Sequence, residues 1–333
     1  MERQQEQALI GECPAFLEVL EHVSRVAQLN RPVLVVGERG TGKELIAARI
    51  HFLSPRWDRP FVKLNCAALA ESLLETELFG HEAGSFTGAT RRRLGRFELA
   101  NEGSLFLDEL ATTSDRVQEK VLRVIEYGEL ERVGGNDTVR TDVRIIGATN
   151  EDLPALAKQG KFRPDLLDRL AFDVITLPPL RERREDIMPL SEHFAVKMSG
   201  ELGLDLFQGF SESARNLLLG YYWPGNVREL KNVVERAVYR SFDSDEPISQ
   251  ISFDPFDSPW RPGEQTETNE SEISMPGDAY DFKEYIQQLE MTLLKSALQK
   301  CRFNQKKTAD FLGMTYHQLR GYLRKYELTD QED

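Results

Sequence analysis

The sequence predicts an α/β fold, a parallel sheet with flanking helices, which is followed by a helical lid and a separate all-α domain. Three observations support this prediction. A short apolar run, Val33–Val36, is typical of a buried parallel strand and leads through a glycine-rich loop into a helix. Further apolar runs end in acids or amides and fit the same sheet. The apolar spacing becomes helical after residue 179, and beyond residue 280 the charge changes from acidic to basic.

The composition is that of a globular protein in a reducing compartment. The 333 residues are 40% hydrophobic and 29% charged, which allows two or three domains with sizeable cores. A formal net charge of -13 excludes a surface that is basic throughout, so any nucleic-acid contact must use a local patch. Three scattered cysteines, Cys13, Cys66 and Cys301, are too few for a disulfide framework or a zinc site. We expect a cytoplasmic protein without a membrane span.

The first elements of the chain are those that a phosphate-binding loop requires. An amphipathic helix is predicted over residues 14–29, and the strand Val33–Val36 and the loop follow it. The amides of such a loop point at one spot, where the helix dipole favours negative charge and a lysine reaches the outer phosphates. Glu44 stands where a Ser or Thr normally ligates magnesium. The predicted ATP-binding residues are Gly37, Glu38, Arg39, Gly40, Thr41, Gly42, Lys43 and Glu44.

Two adjacent acids end the apolar run at residues 104–109. They fall at the carboxyl edge of the predicted sheet, where ligands of α/β proteins bind. We expect Asp108 to hold magnesium and Glu109 to polarise the attacking water. The alternative is that both acids only cap the helix that follows.

Two amides end other strands of the same sheet. Asn65 ends the run 61–65 and is predicted to hold Glu109 aside until that carboxylate is needed. Asn150 follows the run 143–148 and is predicted to sense the γ-phosphate. Each amide could equally make a structural hydrogen bond.

Three arginines are candidates for stabilising charge during phosphoryl transfer. Arg163 and Arg169 would act as arginine fingers on the nucleotide of a neighbouring subunit, or would pair on the surface with Asp165 and Asp168. Arg228 falls just inside the third helix of the predicted lid and is placed to reach back to a bound nucleotide.

The segment 77–89 has the composition of neither a surface nor a core. Its glycines make a helix unstable, and Phe86 and Thr87 are not the residues of an ordinary turn. A loop with an aromatic tip and no catalytic side chain is suited to contacting a partner and being moved. The alternative is that Phe86 folds back into the core. The loop consists of Gly84, Ser85, Phe86, Thr87, Gly88 and Ala89.

The predicted domain boundaries follow changes in composition. The α/β subdomain covers residues 1–172, the lid 173–240, an acidic linker 241–279 and a helix-turn-helix domain 280–333. Residues 241–278 hold ten acids against one arginine, so this segment cannot bury enough apolar surface to order itself. Its few apolar side chains would pack on the lid, namely Phe253, Phe256 and Trp260.

The helix-turn-helix prediction rests on residues 308–325. Ala309 is small where two helices would cross, Gly313 would take the turn, and Leu319 would pack inward. Gly321, inside the second helix, costs about 1 kcal/mol of helix propensity, which close packing or DNA contact should explain. The alternative is a helical protein-interaction module with no DNA role. The residues offered to base edges and phosphates are Tyr316, His317, Gln318, Arg320 and Arg324.

Together these motifs resemble those of the AAA+ bacterial enhancer-binding proteins. The resemblance rests on the P-loop, the loop 84–89, the pair Asp108 and Glu109, Asn150, and the stretch 223–230. It implies an AAA+ ATPase that forms a ring, most often a hexamer, and remodels RNA polymerase holoenzyme carrying sigma-54. The loop 84–89 would contact sigma-54, and a Fis-type domain would bind upstream enhancer DNA.

Two residues can be compared with the residues that this family usually has at the same positions. Glu44 is usual after the P-loop lysine in this family. Ser85 departs from the pattern, because the family most often has alanine there.

Members of this family usually carry an N-terminal sensory domain, and the seven residues before Ala8 cannot form one. We therefore expect control by the abundance of the protein, by DNA or by a separate protein that acts in trans. The chain is similar in this to the phage-shock (membrane stress) type of activator, which phage shock protein A holds off. Trp57 is then a candidate docking residue, with a buried core tryptophan as the alternative. The rival function is a DNA-binding regulator in which nucleotide only switches the oligomeric state.

Overall fold

The computed structural model of the chain describes residues 9–86, 89–204, 206–243, 246–256, 282–301 and 304–326. The chain divides into two compact units, Met1–Asp257 and Ser258–Asp333. The predictions for Thr87, Gly88 and Trp260 lie outside the described residues, as does most of the predicted linker.

Strands and helices alternate through most of the first unit. Within the described ranges the strands are β1 (Val33–Val36), β2 (Phe61–Asn65), β3 (Ser104–Asp108), β4 (Glu129–Glu131), β5 (Thr138–Arg140), β6 (Arg144–Thr149) and β7 (Val174–Thr176). The helices of this unit are α1 (Pro14–Ala27), α2 (Lys43–Phe52), α3 (Glu71–Phe79), α4 (Arg96–Leu99), α5 (Asp115–Tyr127), α6 (Leu153–Lys158), α7 (Pro164–Leu170), α8 (Arg184–Glu201), α9 (Glu212–Gly220) and α10 (Asn226–Arg240). Those of the second unit are α11 (Phe282–Lys300), α12 (Gln305–Phe311) and α13 (Tyr316–Lys325).

Five of the strands form one parallel sheet in the order β2–β3–β6–β1–β7. Their carboxyl ends therefore meet at a single edge of the sheet, which confirms the predicted α/β fold. The strands β4 and β5 form a separate antiparallel hairpin.

The predicted boundary between the α/β subdomain and the lid, at residue 173, is wrong. Strand β7 pairs with β1, so that Val174 lies opposite Leu34 and Thr176 opposite Val36. Leu177 extends this pairing, because its N–H donates to the Val36 carbonyl at 2.8 Å. The strand is thus an edge of the sheet, and the lid begins after it.

Alternate residues of the strands face two apolar cores, one on each side of the sheet. In β1, Val33 and Val35 belong to the same core as Ile46 and Ile50 of α2, whereas Leu34 belongs to the opposite core. This alternation follows from the two-residue period of a strand, and the helices on both faces keep water from the sheet. The packed cores fix the strand ends and therefore the loops that follow them.

The helices α8 to α10 build the lid around Trp223. This side chain is fully buried, and its indole N–H donates to the Leu218 carbonyl at 2.9 Å. Burial of a tryptophan with its N–H satisfied makes a strong centre for a small helical core.

The chain after α10 returns to the lid. Phe253 stacks on Tyr221 with ring centroids 4.1 Å apart, and Arg236 donates to the carbonyl oxygens of Ser252 and Phe253. The prediction that the acidic linker cannot order itself is therefore wrong for residues 248–253. Phe253 packs on the lid as expected, whereas Phe256 is 68% exposed and does not.

The second unit has the predicted helix-turn-helix. Ala309 and Leu319 are buried, and Gly313 takes the turn with a φ of 66°. A capping box of Thr315 and Gln318 begins α13. The core of this unit contains Leu294, Leu298, Ala309, Leu319 and Leu323. In the part of the chain that the structure describes, every helix is too short or too polar to cross a membrane.

Candidate functional site

The loop between β1 and α2 has the geometry of a phosphate cradle. Gly42 precedes α2 with a φ of 101°, and a Cβ built on it meets nothing within 4 Å, which leaves open space at the helix N-terminus. Gly40 has a φ of 78°, and a Cβ there would lie 2.3 Å from the Gly225 carbonyl oxygen. Glycine is required at this position. The predicted order of strand, glycine-rich loop and helix is confirmed.

Lys43 lies inside this cradle. Its Nζ donates to the carbonyl oxygens of Gly37 at 2.8 Å and Glu38 at 3.2 Å. Burial lowers the pKa of Lys43, and the carboxylates of Glu109 and Asp108 oppose that shift. A desolvated ammonium group at a helix N-terminus is well suited to bind phosphate oxygens.

The two acids lie at the end of β3 as predicted, because Asp108 is its last residue and Glu109 follows it. The Asp108 carboxylate accepts the N–H of Glu109 at 3.0 Å. Glu109 has a φ of 53°, and its side chain makes no hydrogen bond to the short 3-10 turn that follows, so the capping alternative is wrong for Glu109. Its Oε1 lies 3.9 Å from Nε of Arg39 in the P-loop. A left-handed glutamate costs about 1–2 kcal/mol, and such local strain is typical of functional sites.

The two amides lie at the same edge of the sheet. Asn65 is paired in register with Asp108, but its side-chain oxygen accepts the N–H of Ala67 at 2.9 Å. The structural alternative is therefore the one observed for Asn65, and among the described residues no hydrogen bond joins its side chain to Glu109. Asn150 is exposed directly after β6, and its role as a γ-phosphate sensor stays a prediction.

The two arginines of the α7 segment contact acids of their own chain. Arg163 pairs with Asp165 at 2.8 Å, as the surface alternative predicts. Arg169 pairs with Glu126 of α5 at 2.8 Å, so the predicted pairing with Asp168 is wrong. Consecutive residues of a helix do not face each other, which explains the difference. A role on a neighbouring subunit stays a prediction for both arginines.

Hydrogen bonds join the P-loop to the lid at a junction that the sequence analysis did not predict. The Glu38 carboxylate accepts hydrogen bonds from Arg181 at 2.6 Å and from Asn226 at 3.0 Å, which lower its pKa to about 2. Asn226 is fully buried. Its amide also donates to the Arg39 carbonyl at 3.0 Å and accepts the N–H of Leu180 at 2.7 Å. The side chain of Asn226, at the start of α10, therefore joins the P-loop to the first turn of the lid at Leu180.

Arg228 lies beside this junction. A Cβ built on Gly40 would be 3.0 Å from the Arg228 Cβ. Arg39, Arg228 and Arg236 line a cleft of about 320 Å³ between the P-loop and α10. Contact of Arg228 with a bound nucleotide stays a prediction.

We expect Asn226→Ala to destabilise the first unit by roughly 2–4 kcal/mol. The change leaves the buried Leu180 N–H without its acceptor, at a cost of about 1–3 kcal/mol. It also places alanine at a φ of 52°, which adds about 1 kcal/mol. Chemical denaturation followed by circular dichroism measures the effect. Asn232→Ala, at an exposed position of the same helix, is the control and should change stability by less than about 0.5 kcal/mol. Equal stability of both variants would contradict the role of the junction.

The loop 84–89 is folded back on itself at its base. The N–H of Gly84 donates to the Ala89 carbonyl at 2.7 Å, and His81 exchanges two backbone hydrogen bonds with Arg93. Phe86 is 49% exposed and lies edge-on to His81 with centroids 5.0 Å apart. The alternative of a core phenylalanine is therefore wrong.

Ser85, the position that departs from the family pattern, packs against the β4–β5 hairpin. A Cβ built on Gly134 would lie 2.4 Å from the Ser85 Cβ, so glycine is needed opposite it. The Ser85 hydroxyl is buried and has no hydrogen-bond partner among the described residues. A serine at this position thus fits sterically but leaves its hydroxyl unsatisfied.

An ionic cluster holds the base of the loop. Arg132, which follows β4 and is 7% exposed, donates to Glu82, just before the loop, at 3.0 Å and to Glu98 of α4 at 2.9 Å. Burial raises the pKa of Glu98, but the hydrogen bonds from Arg132 and from the Gly95 N–H, with the charge of Arg132, lower it overall. The cluster joins the loop, the hairpin and α4, and no single motif in the sequence indicates it.

Trp57 lies in the turn that follows α2 and is 64% exposed. The alternative of a core tryptophan is therefore wrong. Two neighbouring apolar side chains, Phe52 and Leu53, are also exposed, at 56% and 37%. Contiguous patches of exposed apolar residues are typical of docking surfaces, and these three residues are close in sequence.

The predicted DNA-contacting residues all lie on α13 and are exposed. Gln318 differs from the prediction in part, because its side-chain oxygen accepts the N–H and hydroxyl of Thr315 in the capping box. The Tyr316 hydroxyl donates to Gln305 of α12 at 3.4 Å. The other three predicted residues, His317, Arg320 and Arg324, are exposed on the same helix.

Three family models match successive parts of the chain. The sigma-54 interaction domain matches residues 9–176, the AAA+ ATPase lid domain residues 181–272, and the Fis family of bacterial regulatory proteins residues 285–326. The Psp operon transcriptional activator of Escherichia coli (strain K12) is 58% identical over 320 residues, which cover 96% of this chain and 98% of that protein. The chain belongs to the sigma-54-dependent transcriptional activators.

Other relatives of this sigma-54 activator are longer than it is. A Nif-specific regulatory protein of Azotobacter vinelandii is 46% identical over 94% of this chain and 58% of that protein. Regulatory protein AtoC of Escherichia coli (strain K12) is 43% identical over 96% of this chain and 67% of that protein. Crystal structures of NtrX from Brucella abortus with ADP and with ATP match with TM-scores of 0.70 at 32% and 33% identity, over 96% of this chain and 70% and 69% of theirs.

These matches confirm the resemblance to AAA+ enhancer-binding proteins and the DNA-binding domain of Fis type. The matched boundary also agrees with the structure, because the sigma-54 interaction domain ends at the last residue of β7.

Proposed function

We propose that this activator hydrolyses ATP and uses the reaction to remodel sigma-54 holoenzyme, so that the promoter opens. One observation carries the proposal. Lys43 begins the helix after β1, and Asp108 and Glu109 lie at the carboxyl end of β3 in the same sheet, where burial lowers the pKa of Lys43 and both carboxylates oppose that shift. The NtrX structures that contain ADP and ATP support the same site, because their fold matches this chain over most of its length.

The residues at this edge fit a magnesium nucleotide. The cradle at Gly42 is open, and Asp108 keeps one carboxylate oxygen that the hydrogen bond to Glu109 does not use. Glu44 pairs with Lys63 of β2 at 2.9 Å, so it has a structural partner. Asp108 would therefore hold Mg²⁺ with the phosphates and water. Glu109 would orient the attacking water, and Lys43 would neutralise the outer phosphates.

The loop 84–89 would carry the output of this reaction to sigma-54. The cluster at Arg132 joins it to a hairpin and to α4, and the loop itself holds Phe86 half-exposed at its tip. Measuring ATP hydrolysis and promoter opening separately tests the proposal. Opening that requires hydrolysis and an intact loop is the expected result, and opening without either would refute it.

The active form would be a ring, most simply a hexamer. Arg163 and Arg169 already have acidic partners within the chain at 2.8 Å, so each would exchange its partner for a phosphate on the adjacent subunit. Exchange of one charged partner for another conserves most of the ionic interaction. Native mass spectrometry with a non-hydrolysable ATP analogue measures the subunit number.

The promoters would be of the phage-shock (membrane stress) type, since the Psp operon activator matches this chain over 98% of its own length. A negative regulator similar to phage shock protein A would then act in trans. The exposed surface of Phe52, Leu53 and Trp57 is its proposed docking site.

We expect Trp57→Ala to abolish inhibition by a purified phage shock protein A homologue without affecting folding. The side chain is 64% exposed, so its loss should change stability by less than about 0.5 kcal/mol, whereas an aromatic anchor in an interface often contributes about 2 kcal/mol or more. The rate of ATP hydrolysis against regulator concentration is the measurement. Tyr239→Ala, also 64% exposed but on the lid, is the control. Undiminished inhibition of the Trp57 variant would rule this residue out.

A further inference from the structure

A glycine lies in the second helix of the helix-turn-helix without a reason inside the protein. Gly321 is the sixth residue of α13, where glycine costs about 1 kcal/mol relative to alanine. A Cβ built on it meets nothing within 4 Å. Its φ is not in the left-handed region, in contrast to Gly313 in the turn. Neither packing nor backbone conformation therefore requires glycine here.

The position of Gly321 on the helix is central. Leu319 and Leu323 are buried at 0% and 1% exposure and define the inner face of α13. At about 100° per residue, each of these leucines lies about 160° from Gly321, on opposite sides. Gly321 thus points directly away from the core, in the middle of the outer face.

Polar side chains surround this bare position. Residues three and four positions away lie one turn above and below on the same face: His317, Gln318, Arg324 and Lys325, all exposed. Two of these side chains have contacts within the unit, because Gln318 caps α13 and Lys325 lies 3.5 Å from Glu290 of α11. His317 and Arg324 remain as the flanking side chains that reach outward.

We propose that Gly321 is the point at which the backbone of α13 comes closest to the floor of the DNA major groove. A recognition helix lies in the major groove with its outer face toward the base edges, and Gly321 lies in the middle of that face. Any side chain there adds at least one carbon about 1.5 Å beyond Cα and holds the whole helix away from the bases. The absence of a side chain lets His317 and Arg324 reach base edges. Gly321 is therefore a specificity-determining residue of the DNA-binding domain.

The test compares the full-length wild-type protein with Gly321→Ala. The probe is a duplex that the wild-type protein enriches from a random-sequence pool, with a duplex of unrelated sequence for comparison. We expect Gly321→Ala to bind the enriched duplex at least about tenfold more weakly and the unrelated duplex equally well, because non-specific binding depends on phosphate contacts. Hydrogen exchange of the α13 amides should be unchanged or slower, since alanine favours the helix.

Gly200→Ala is the matched control. Gly200 is also an exposed helical glycine whose Cβ would meet nothing within 4 Å, but it belongs to α8 of the lid. This variant should bind both duplexes as the wild type does. Equal affinity of Gly321→Ala and wild type for the enriched duplex would overturn the proposal, as would faster exchange in α13. Failure of the wild type to enrich any duplex would overturn DNA recognition by the domain and this proposal together.

Discussion

Asp108→Ala should reduce the rate of ATP hydrolysis by roughly 10³-fold or more, because it removes the carboxylate proposed to hold magnesium. A bound metal ion contributes several kcal/mol of transition-state stabilisation, and each step of about 1.4 kcal/mol corresponds to a factor of ten. The Asp108 carboxylate lies at the end of β3 and acts on the buried Lys43. The paired position of β2 holds Asn65, an amide that cannot replace the lost negative charge.

Phosphate release by the purified protein is the measurement, with nucleotide binding determined in parallel. Glu109→Gln should retain ATP but fail to hydrolyse it, because the amide keeps the shape of the side chain and loses the ability to polarise water. Glu102→Ala is the control, since Glu102 also has a positive φ but pairs at the surface with Arg59. A fully active Asp108→Ala would refute the proposed site.

Phe86→Ala should abolish promoter opening and leave the rate of hydrolysis within about twofold of the wild type. The side chain is half-exposed at the loop tip and contacts His81, so its loss removes contact area from the tip while the P-loop and the acids are unchanged. A buried aromatic anchor in an interface often contributes about 2–4 kcal/mol, which is enough to lose a transient contact with sigma-54. Thr87→Ala, for which the sequence alone supports the same expectation, should behave similarly.

Permanganate footprinting of a sigma-54 promoter measures opening, and phosphate release measures hydrolysis in the same reaction. Phe172→Ala is the matched control, because this phenylalanine is 51% exposed on a different surface. The comparison also separates the two candidate functions. A nucleotide-switched regulator that does not remodel polymerase would activate equally well with and without Phe86, and that result would exclude the proposed function.

The parts of the site that depend on local sequence were predictable. A four-residue apolar run, a glycine-rich loop and a lysine occur within about a dozen positions, and the backbone physics of a phosphate cradle applies to that window directly. The acids after β3 were equally clear, because an apolar strand that ends in two carboxylates places both at the sheet edge where ligands bind. The resemblance to a family then added an expectation that no local pattern indicates, namely that the loop contacts sigma-54.

Contacts between distant positions were not predictable. Glu38 and Asn226 are 188 positions apart, and nothing in either motif indicates that one carboxylate and one amide meet. The boundary at residue 173 was misplaced because the pairing of β7 with β1, which makes β7 part of the sheet, joins residues that are far apart in the chain. The sequence suggested Asp168 as the partner of Arg169. The observed partner, Glu126, is brought near only by the packing of α5 against α7.

The place of β7 in the sheet determines how the lid can move. Leu177 is hydrogen-bonded to the sheet, and the first turn of the lid begins at Leu180, so only Pro178 and Pro179 lie between them. Proline fixes φ near about −65° and restricts the residue before it. The two prolines therefore make a conformationally restricted connection between the sheet and the lid. We therefore expect a displacement at the P-loop to move the lid as one body rather than to bend the connection.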